Sequence, residues 1–304
     1  MKIVVTEFMD EAPLAGVEGV VYDPALVDDR QKMLQYLNDA DAVIVRNRTR
    51  VDAELLAAAP RLRAVGRLGV GLDNIDLAAC ERRGVSVHPA TGANTASVAE
   101  YVIAAAMLLI RNVFSVNAAM LAGDWPRGGL GQGGEVGGRV MGLVGYGGIG
   151  RAVGERARAL GMDVAAHDPQ IAADDPAWGD AKRLELNELL AEADVVSLHV
   201  PLVDATRRLI DAAALARMKP TAVLVNTARG GVVDEAALAN ALRNKHLGGA
   251  ALDVFETEPL TAEAARVFEG VPNLVLTPHI AGVTAEANAR VSRLTVENVL
   301  RALE

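Results

Sequence analysis

The sequence predicts an α/β protein built from two doubly wound, parallel-sheet domains, and three observations lead to that class. Short apolar runs rich in Val and Ile alternate with longer segments of helical period, which is typical of βαβ units. A length of 304 residues, 51% of them hydrophobic, is enough for about two domains with separate cores. The strand-like runs also fall into two series, divided by an apolar helix and a glycine-rich loop.

The first series contains five strand-like runs and predicts one compact domain. Its predicted strands are residues 3–6, 20–22, 42–45, 64–66 and 85–88, with predicted helices at 29–37, 52–58 and 74–83. At the other end of the chain, residues 284–303 have the period of a helix, with Thr284 as its N-cap and Val291, Leu294 and Leu300 directed inward.

The second series contains six runs, which are enough for a second doubly wound sheet. They lie at residues 140–144, 164–167, 195–198, 222–226, 250–254 and 274–276. Between the series lie a predicted helix at 98–110 and a glycine-rich loop at 123–138, where the join between domains is expected. The helix is apolar on both faces, which predicts burial on all sides, either as an interdomain core helix or in a homodimer interface.

Composition excludes several classes of function. The net charge of −9 leaves no basic surface for nucleic acid. The helix at 98–110 contains Glu100 and is shorter than the about 20 residues that span a bilayer, so no membrane partner is expected. The single cysteine, Cys80, and the lack of zinc-ligand spacing predict no metal and a reducing compartment. Because the first residues also lack the apolar stretch of a signal peptide, a cytoplasmic location is expected.

The strongest motif is a predicted strand that runs into Gly145-x-Gly147-x-x-Gly150, with Gly148 and Ile149 between, and then into a helix. In a dinucleotide site the first glycine permits the turn, the second lets the backbone approach the pyrophosphate, and the third allows close packing. Asp168 ends the next strand 18 residues after Gly150, where it can accept the ribose hydroxyls and repel a 2′-phosphate. The motif therefore predicts NAD as cofactor, unless Asp168 serves only as a turn residue.

A dehydrogenase needs a proton acceptor near neutral pH, and His279 is the strongest candidate among five histidines. It follows a late strand, at the sheet edge where open α/β folds bind ligands. Two neighbouring loops carry Arg229, whose fork of donors can hold a carboxylate, and Glu258, which favours a protonated imidazole. The alternative is a structural ion pair between Arg229 and Glu258.

His199 is the second histidine at this edge of the predicted sheet. It ends the strand at 195–198 and precedes Val200 and Pro201, so this segment is expected beside the cofactor. A packing role for the imidazole is favoured over a chemical one.

The sequence resembles the D-2-hydroxyacid dehydrogenase family over nearly its whole length. The motifs that carry the resemblance are Gly145 to Gly150 with Asp168, Leu198-His-Val-Pro-Leu202 with Thr206, Asn226-Thr-Ala-Arg-Gly230, Asp253-Val-Phe-x-x-Glu258-Pro259 and Thr277-Pro-His279-Ile-Ala-Gly282. The resemblance implies a flavodoxin-like substrate-binding domain, residues 1–97 and 285–304, and a Rossmann NAD domain, residues 98–284, with a cleft between them.

The same resemblance implies roles for individual residues. Arg229 orients the substrate, His279 exchanges the hydroxyl proton, Glu258 partners the histidine, and the amides of Val70 and Gly71 hold the substrate carboxylate. The further residues implied to contact NAD are Ile149, Thr206, Thr227, Ala228, Asp253 and Gly282.

Within the family the chain is most similar to the D-3-phosphoglycerate dehydrogenase branch, without its regulatory domain. The segments around Arg46 and Arg67 carry that similarity. Residues 6–10 with residues 46–49, which include Arg48, also resemble sulfolactate dehydrogenases. These arginines predict a 2-hydroxy acid with a phosphate or sulfonate at C3. If Arg46 instead pairs with Asp73, the pocket suits glycerate, lactate or hydroxypyruvate. Corepressors that respond to NAD share the fold and the Arg, Glu and His set, and they remain the alternative from another class.

Overall fold

The computed structural model describes residues 1–114 and 116–304, which divide into two compact units. Unit 1 consists of Met1–Asn94 and Val283–Glu304, and unit 2 consists of Thr95–Gly282. The expected domain boundaries, 97/98 and 284/285, lie three and two residues further along the chain than these. The glycine-rich loop at 123–138 lies inside unit 2, and the units divide three residues before the predicted helix at 98–110, near the start of the segment where the join is expected.

The strands and helices are numbered along the chain. The strands are β1 (Ile3–Val5), β2 (Val20–Tyr22), β3 (Ala42–Val45), β4 (Ala64–Arg67), β5 (Ser86–Pro89), β6 (Val140–Val144), β7 (Asp163–His167), β8 (Lys182–Arg183), β9 (Val195–Leu198), β10 (Val223–Asn226), β11 (Gly249–Leu252) and β12 (Leu274–Leu276). The helices are α1 (Arg30–Leu37), α2 (Ala53–Ala58), α3 (Leu77–Arg82), α4 (Thr95–Arg111), α5 (Asn117–Leu121), α6 (Arg127–Leu130), α7 (Gly148–Ala159), α8 (Leu186–Glu192), α9 (Ala212–Leu215), α10 (Glu235–Arg243), α11 (Ala262–Ala265) and α12 (Ala285–Leu303). Short 3₁₀ helices cover Ala12–Leu14, Pro24–Asp28, Pro176–Trp178 and Arg266–Phe268.

Unit 1 contains a five-stranded parallel sheet in the order β2-β1-β3-β4-β5, the flavodoxin-like order. All five predicted strands are present, and their ends lie within one residue of the prediction. Asp29, Asp52 and Asp76 cap α1, α2 and α3 by accepting a backbone N–H with a carboxylate oxygen. The third helix begins later than predicted because Asp76 is its N-cap, which leaves Asn74 in the preceding loop.

The long terminal helix α12 packs on the sheet of unit 1, as the resemblance implies. Thr284 caps it as predicted, accepting from the N–H of Ala287 at 3.0 Å. Val299 and Thr295 come so close to β4 that a Cβ on Gly66 would lie 2.5 and 2.8 Å from their methyl groups. Glycine at position 66 therefore lets helix and sheet pack tightly.

Unit 2 contains a seven-stranded parallel sheet in the order β12-β11-β10-β9-β6-β7-β8. This is a Rossmann arrangement, with its switch point between β6 and β9. Six of the seven strands match the predicted runs, and the seventh, β8, was not predicted. It consists of two exposed basic residues at the sheet edge, where no apolar alternation marks a strand.

Helix α4 belongs to the core of unit 2, where Val98, Val102 and Leu109 pack with Met141 and Leu143 of β6. On the other face of α4, Ala104 and Met107 are exposed in the single chain, so their burial stays a prediction that depends on the homodimer alternative. Among the residues described, no helix combines the length and the apolarity that crossing a bilayer requires.

Candidate active site

The glycine loop of unit 2 has the geometry that a dinucleotide site requires. Gly145 has a φ of +91°, and a Cβ there would lie 2.5 Å from the carbonyl oxygen of His199. A Cβ on Gly150 would lie 2.4 Å from the carbonyl oxygen of Gly145. By contrast, a Cβ on Gly147 or Gly148 would meet no atom of the described chain within 4 Å, so the open space is at the start of α7. The loop thus leaves the helix N-terminus accessible to a pyrophosphate.

Asp168 follows β7 and lies beside this loop. One carboxylate oxygen accepts from the N–H of Tyr146 at 2.8 Å, and the other accepts from the N–H of Gln170 at 2.9 Å. The second contact is the turn role that the sequence left open, and the first ties the carboxylate to the glycine loop. Each oxygen keeps a further lone pair, which fits the two hydroxyls of a ribose.

We expect wild-type kcat/KM to be at least about 10-fold higher with NAD than with NADP, because a 2′-phosphate would meet the Asp168 carboxylate. Asp168→Ala should narrow this ratio, mainly by weakening NAD binding. Steady-state kinetics with both cofactors measure it, and Asp175→Ala serves as control because Asp175 also caps a turn. Equal specificity constants for the wild type would contradict this assignment of Asp168.

Three loops that were predicted to share one sheet edge do so. Strands β10, β11 and β12 are parallel neighbours, and their register aligns Asn226 with Leu252 and Leu252 with Leu276. The loops that follow these residues carry Arg229, Glu258 and His279. They therefore leave the sheet on the same side, together with the glycine loop after β6.

His279 and Glu258 form a direct hydrogen bond, with 2.7 Å between Nδ1 and Oε2. Both side chains are accessible, at 49% and 35% relative exposure. The other carboxylate oxygen of Glu258 accepts from the N–H of Phe255 at 3.0 Å, which fixes the carboxylate. Since Nδ1 faces Glu258, Nε2 is the ring nitrogen left to exchange a proton with a ligand.

The charge state of Glu258 follows from competing effects on its pKa. Burial raises the pKa, but the hydrogen bonds from His279 and from the N–H of Phe255, with the nearby charges of His279 and Arg229, lower it below the ordinary value of a glutamate. Glu258 is therefore an anion at neutral pH.

The Arg229 loop is shaped by a buried asparagine. Asn226 accepts from the N–H of Ala228 at 3.0 Å and donates to the carbonyl of Arg229 at 3.0 Å, which closes the turn after β10. A Cβ on Gly230 would lie 1.7 Å from the carbonyl oxygen of Phe255, so this loop packs directly on the loop of Glu258. Arg229 is half-buried and donates to the carbonyl of Ala228 at 2.6 Å. The arginine and the His–Glu pair therefore belong to one packed region of unit 2.

A buried network around Asp253 holds the backbone of His279. The Asp253 carboxylate accepts from the N–H groups of Ile280 and Ala281, both at 2.8 Å, and its carbonyl accepts from the N–H of His279. His279 has a φ of +53°, a strained conformation for a residue with a side chain. These contacts fix that conformation, so Asp253 orients the imidazole through its backbone.

Sequence reasoning missed the outer part of this network. Thr277 donates to Asp253 at 2.6 Å and lies 2.6 Å from the hydroxyl of Tyr101, which comes from α4. Tyr101 falls within the predicted apolar helix at 98–110, whose pattern gives no sign of a polar contact. The available signal was the pairing of β11 with β12, because it sets position 253 beside position 277.

His199 lies under the glycine loop and is partly buried, and the loss of solvation there lowers its pKa to about 4. Its Nε2 has no hydrogen-bond partner among the described residues, so the ring is a neutral packing group. The next segment is closed by Thr206, which donates to the carbonyl of Pro201 at 2.5 Å and accepts from the N–H of Val203. No proton exchange at neutral pH is expected from His199.

The other side chains implied to contact NAD differ in their surroundings. Ile149 packs on the core of unit 2 at the first turn of α7. The hydroxyl of Thr227 is buried without a hydrogen-bond partner in the part of the chain described, and Ala228 is buried beside it.

In unit 1, Arg46 follows β3 and is held by two neutral acceptors. Its guanidinium donates to Oδ1 of Asn288 at 3.0 Å and to the carbonyl of Phe8 at 3.4 Å. Burial lowers the pKa of Arg46, and the charge of Glu7 partly opposes that shift. A guanidinium has five N–H donors, so Arg46 retains donors for an anionic ligand.

The other two arginines of unit 1 have different surroundings. Arg48 pairs with the exposed Asp28, which favours a surface ion pair over the option that it receives a substrate anion. Arg67 donates to the carbonyl of Leu68 at 2.6 Å, and a Cβ on Gly69 would lie 1.8 Å from its Nη1. The Arg67 side chain therefore packs against residues 68 and 69 of the loop that follows it and stabilises that loop.

The loop after β4 presents the two amides that the resemblance assigns to a carboxylate. Within the described chain, the N–H groups of Val70 and Gly71 donate no backbone hydrogen bond. Two adjacent N–H groups with no backbone acceptor suit an anion.

A glycine loop open toward a pyrophosphate, a ribose-binding carboxylate and a hydrogen-bonded His–Glu pair at one sheet edge define a dinucleotide-dependent dehydrogenase. The family model described as "D-isomer specific 2-hydroxyacid dehydrogenase, NAD binding domain" matches residues 103–281. The chain belongs to this D-2-hydroxyacid dehydrogenase family. It is an NAD-dependent oxidoreductase that acts on a CH–OH group, as the sequence motifs predicted.

Individual relatives refine the comparison. The (S)-sulfolactate dehydrogenase of Chromohalobacter salexigens is 57% identical over 305 residues, which cover 99% of this chain and 98% of the relative. A D-3-phosphoglycerate dehydrogenase of Mycobacterium leprae is 44% identical over 90% of this chain, which spans only 51% of that relative. The crystal structure of the TT0316 protein from Thermus thermophilus matches with a TM-score of 0.89 at 36% identity, covering 100% of this chain and 97% of that one.

Proposed function

We propose that the protein oxidises a D-2-hydroxy acid that carries a second anion, sulfonate or phosphate, at C3, or reduces the corresponding 2-oxo acid. The proposal rests mainly on the hydrogen bonds of Arg46. Both acceptors of its guanidinium, the carbonyl of Phe8 and Oδ1 of Asn288, are neutral, so no carboxylate neutralises its charge through a hydrogen bond. The two relatives named for sulfolactate and phosphoglycerate support the same substrate class.

In the proposed reaction, Nε2 of His279 accepts the hydroxyl proton while the hydrogen at C2 leaves as hydride. NAD, when bound, supplies the hydride acceptor. Glu258 holds the imidazole by its Nδ1 and stabilises the imidazolium that forms. Arg229 orients the reacting carbonyl and carboxylate with its fork of donors. The amides of Val70 and Gly71 hold the C1 carboxylate.

The residues proposed to bind NAD are Gly145, Gly147, Gly148, Ile149, Gly150, Asp168, Val200, Pro201, Thr206, Thr227, Ala228, Asp253 and Gly282. For Asp253 and Thr206 the contacts within the chain support a role in shaping loops beside the cofactor. Arg67 is proposed to support the carboxylate-binding loop rather than to meet the distal anion directly.

The test is a comparison of wild-type kcat/KM for sulfolactate, 3-phosphoglycerate, glycerate and lactate at one salt concentration. We expect one of the two dianions to be the best substrate. If glycerate or lactate is best, the alternative of a hydroxypyruvate or lactate-type reductase is correct. If none of the four acids is turned over while NAD still binds, a corepressor-like role is favoured.

We further propose that the protein is a homodimer. Leu121 of α5 and Trp125 are 90% and 75% exposed, and Phe114 and Met120 expose further apolar surface. Met120, Trp125 and Leu130 line one concave patch. Exposed apolar surface of this kind on a folded chain is typical of a protein interface.

Leu121→Glu is expected to dissociate the proposed dimer, because it would bury a carboxylate without a partner in that interface. Light scattering measures the mass, which should fall from twice the chain mass to 31.8 kDa. Leu77→Glu is the matched control, since Leu77 is also exposed but lies on α3 of unit 1. A wild-type mass of one chain would contradict the dimer.

We also propose that the protein is cytoplasmic. It is supported by Cys80, the single cysteine, which is buried and has no second cysteine in the chain to pair with. Burial also raises the pKa of this thiol, which makes it unreactive.

A further inference from the structure

Glu7 is a buried carboxylate that the proposed chemistry does not use. It follows β1 at the carboxyl end of the sheet of unit 1 and is only 4% exposed. Strands β1 and β3 are parallel neighbours with Val5 aligned to Ile44, so Glu7 lies beside the loop that begins at Arg46. A buried charge of this kind is costly unless its environment pairs it.

The pairing comes from four consecutive backbone amides. Oε1 accepts from the N–H groups of Arg46 and Thr49, both at 2.9 Å. Oε2 accepts from the N–H groups of Asn47 at 3.3 Å and of Arg48 at 3.1 Å. With two donors on each oxygen, the geometry is that of a carboxylate without a proton. The loop 46–49 therefore wraps around Glu7 as such loops wrap around a bound anion.

Backbone carbonyl groups of the same loop also accept hydrogen bonds. Nδ2 of Asn74 donates to the carbonyl of Thr49 at 2.6 Å and to that of Arg46 at 3.3 Å. The hydroxyls of Thr6 and Thr49 lie 2.9 Å apart and are buried. The loop is thus fixed on both sides of its backbone, and the direction in which Arg46 leaves it is fixed as well.

This arrangement has a consequence for ligand binding. The amides of residues 46–49 form an anion-binding concavity, but Glu7 already fills it, so a substrate phosphate or sulfonate cannot use these amides. Any distal anion must instead meet the Arg46 side chain, which points from the same loop toward Asn288.

We propose that Glu7 is a specificity-determining positioning residue, whose amide-bound carboxylate shapes the loop 46–49 so that Arg46 is presented to the distal anion of the substrate. The inference rests on the proposed function, because it assigns the residue that makes its anion site selective. Glu7 itself touches no substrate.

Glu7→Gln separates this role from a simple charge effect. The amide group would turn an NH₂ toward two N–H donors, so two hydrogen bonds are lost and the loop must shift. Positioning therefore predicts a lower ratio of kcat/KM for the dianion over that for lactate, by about 10-fold, with the change mainly in KM. A through-space effect predicts the opposite, because removal of a negative charge would favour a dianion.

The experiment measures that ratio in the wild type, Glu7→Gln, Arg46→Ala and the double variant. If Glu7 acts through Arg46, Glu7→Gln lowers the ratio in the wild type but not in the Arg46→Ala background. Glu11→Gln is the matched control, with the same charge change on an exposed residue that makes no capping hydrogen bond. An unchanged or higher ratio in Glu7→Gln, or an equal fall in both backgrounds, overturns the inference.

Two further outcomes are decisive. If Glu7→Gln fails to fold, Asn74→Ser replaces it, because this change releases the same loop from its carbonyl side, and it should lower the same ratio. A folded Asn74→Ser protein with an unchanged ratio overturns the inference. If the wild type does not prefer dianions, both the proposed function and this inference are wrong. If the wild type prefers dianions and Glu7→Gln keeps that preference, only this inference is wrong.

Discussion

His279→Ala is expected to lower turnover by roughly 10²–10⁴-fold, the usual effect of removing a general acid–base group. The imidazole is accessible, and its Nδ1 is bound to Glu258, so Nε2 is the nitrogen that would exchange the hydroxyl proton. NAD binding should be largely kept, because the glycine loop and Asp168 lie on other strands. Steady-state turnover and NAD titration together measure the two effects.

His246→Ala provides the control for this variant, because His246 is exposed just beyond the end of α10 and is not at the active edge. It should retain wild-type turnover. A His279→Ala protein that binds NAD and turns over within a few-fold of the wild type would remove His279 from the chemistry.

Glu258→Gln should move the pH profile of the same reaction. The pKa of Glu258 lies below its ordinary value, so the carboxylate is an anion at neutral pH and lies 2.7 Å from Nδ1 of His279. Oxidation of the hydroxy acid needs the neutral imidazole, which becomes available at lower pH once the anion is gone. The rise of oxidation rate with pH should therefore shift to lower pH by about one unit, and the fall of the reduction rate should shift the same way. An unchanged profile would show that Glu258 does not act through His279.

The fold was largely predictable because its signals are local and repeated. Buried parallel strands are continuous apolar runs, and eleven of the twelve were found from them. The missed strand, β8, is stabilised only by pairing with β7, which a run of two basic residues cannot reveal. For helix α4 the apolar pattern predicted burial on both faces, but such a pattern does not identify the covering partner, and Met107 is exposed in the single chain.

The chemistry of the site was predictable where residue type and strand order sufficed. Glycine spacing, Asp168 and the three loops after β10, β11 and β12 follow from motifs and from parallel topology. Contacts between segments that are distant in the sequence could not be predicted in this way. The pairing of Arg48 with Asp28, of Arg46 with Asn288 and of Glu7 with the amides of residues 46–49 joins positions 20 to 242 residues apart, and only the folded chain brings them together.

Arg46→Ala is expected to lower kcat/KM for a dianionic substrate by about 10–100-fold, because a charge-assisted hydrogen bond to a buried anion contributes about 1.5–3 kcal/mol. The structure argues against the competing ion pair with Asp73, since the guanidinium donates to the neutral Asn288 and Phe8. Neutral acceptors position it without neutralising it, and burial makes its remaining donors costly to leave unpaired.

The distal anion site is tested by comparing how far Arg46→Ala lowers kcat/KM for dianionic and for monoanionic substrates. Lactate and glycerate lack the second anion, so Arg46→Ala should change their kcat/KM by no more than a few-fold. Arg48→Ala is the matched control, because it removes the same side chain from the same loop while its guanidinium is bound to the exposed Asp28. It should leave all four substrates unaffected. If Arg46→Ala lowers activity equally on dianions and monoanions, the guanidinium supports the fold of the loop and the second anion of the substrate is received elsewhere.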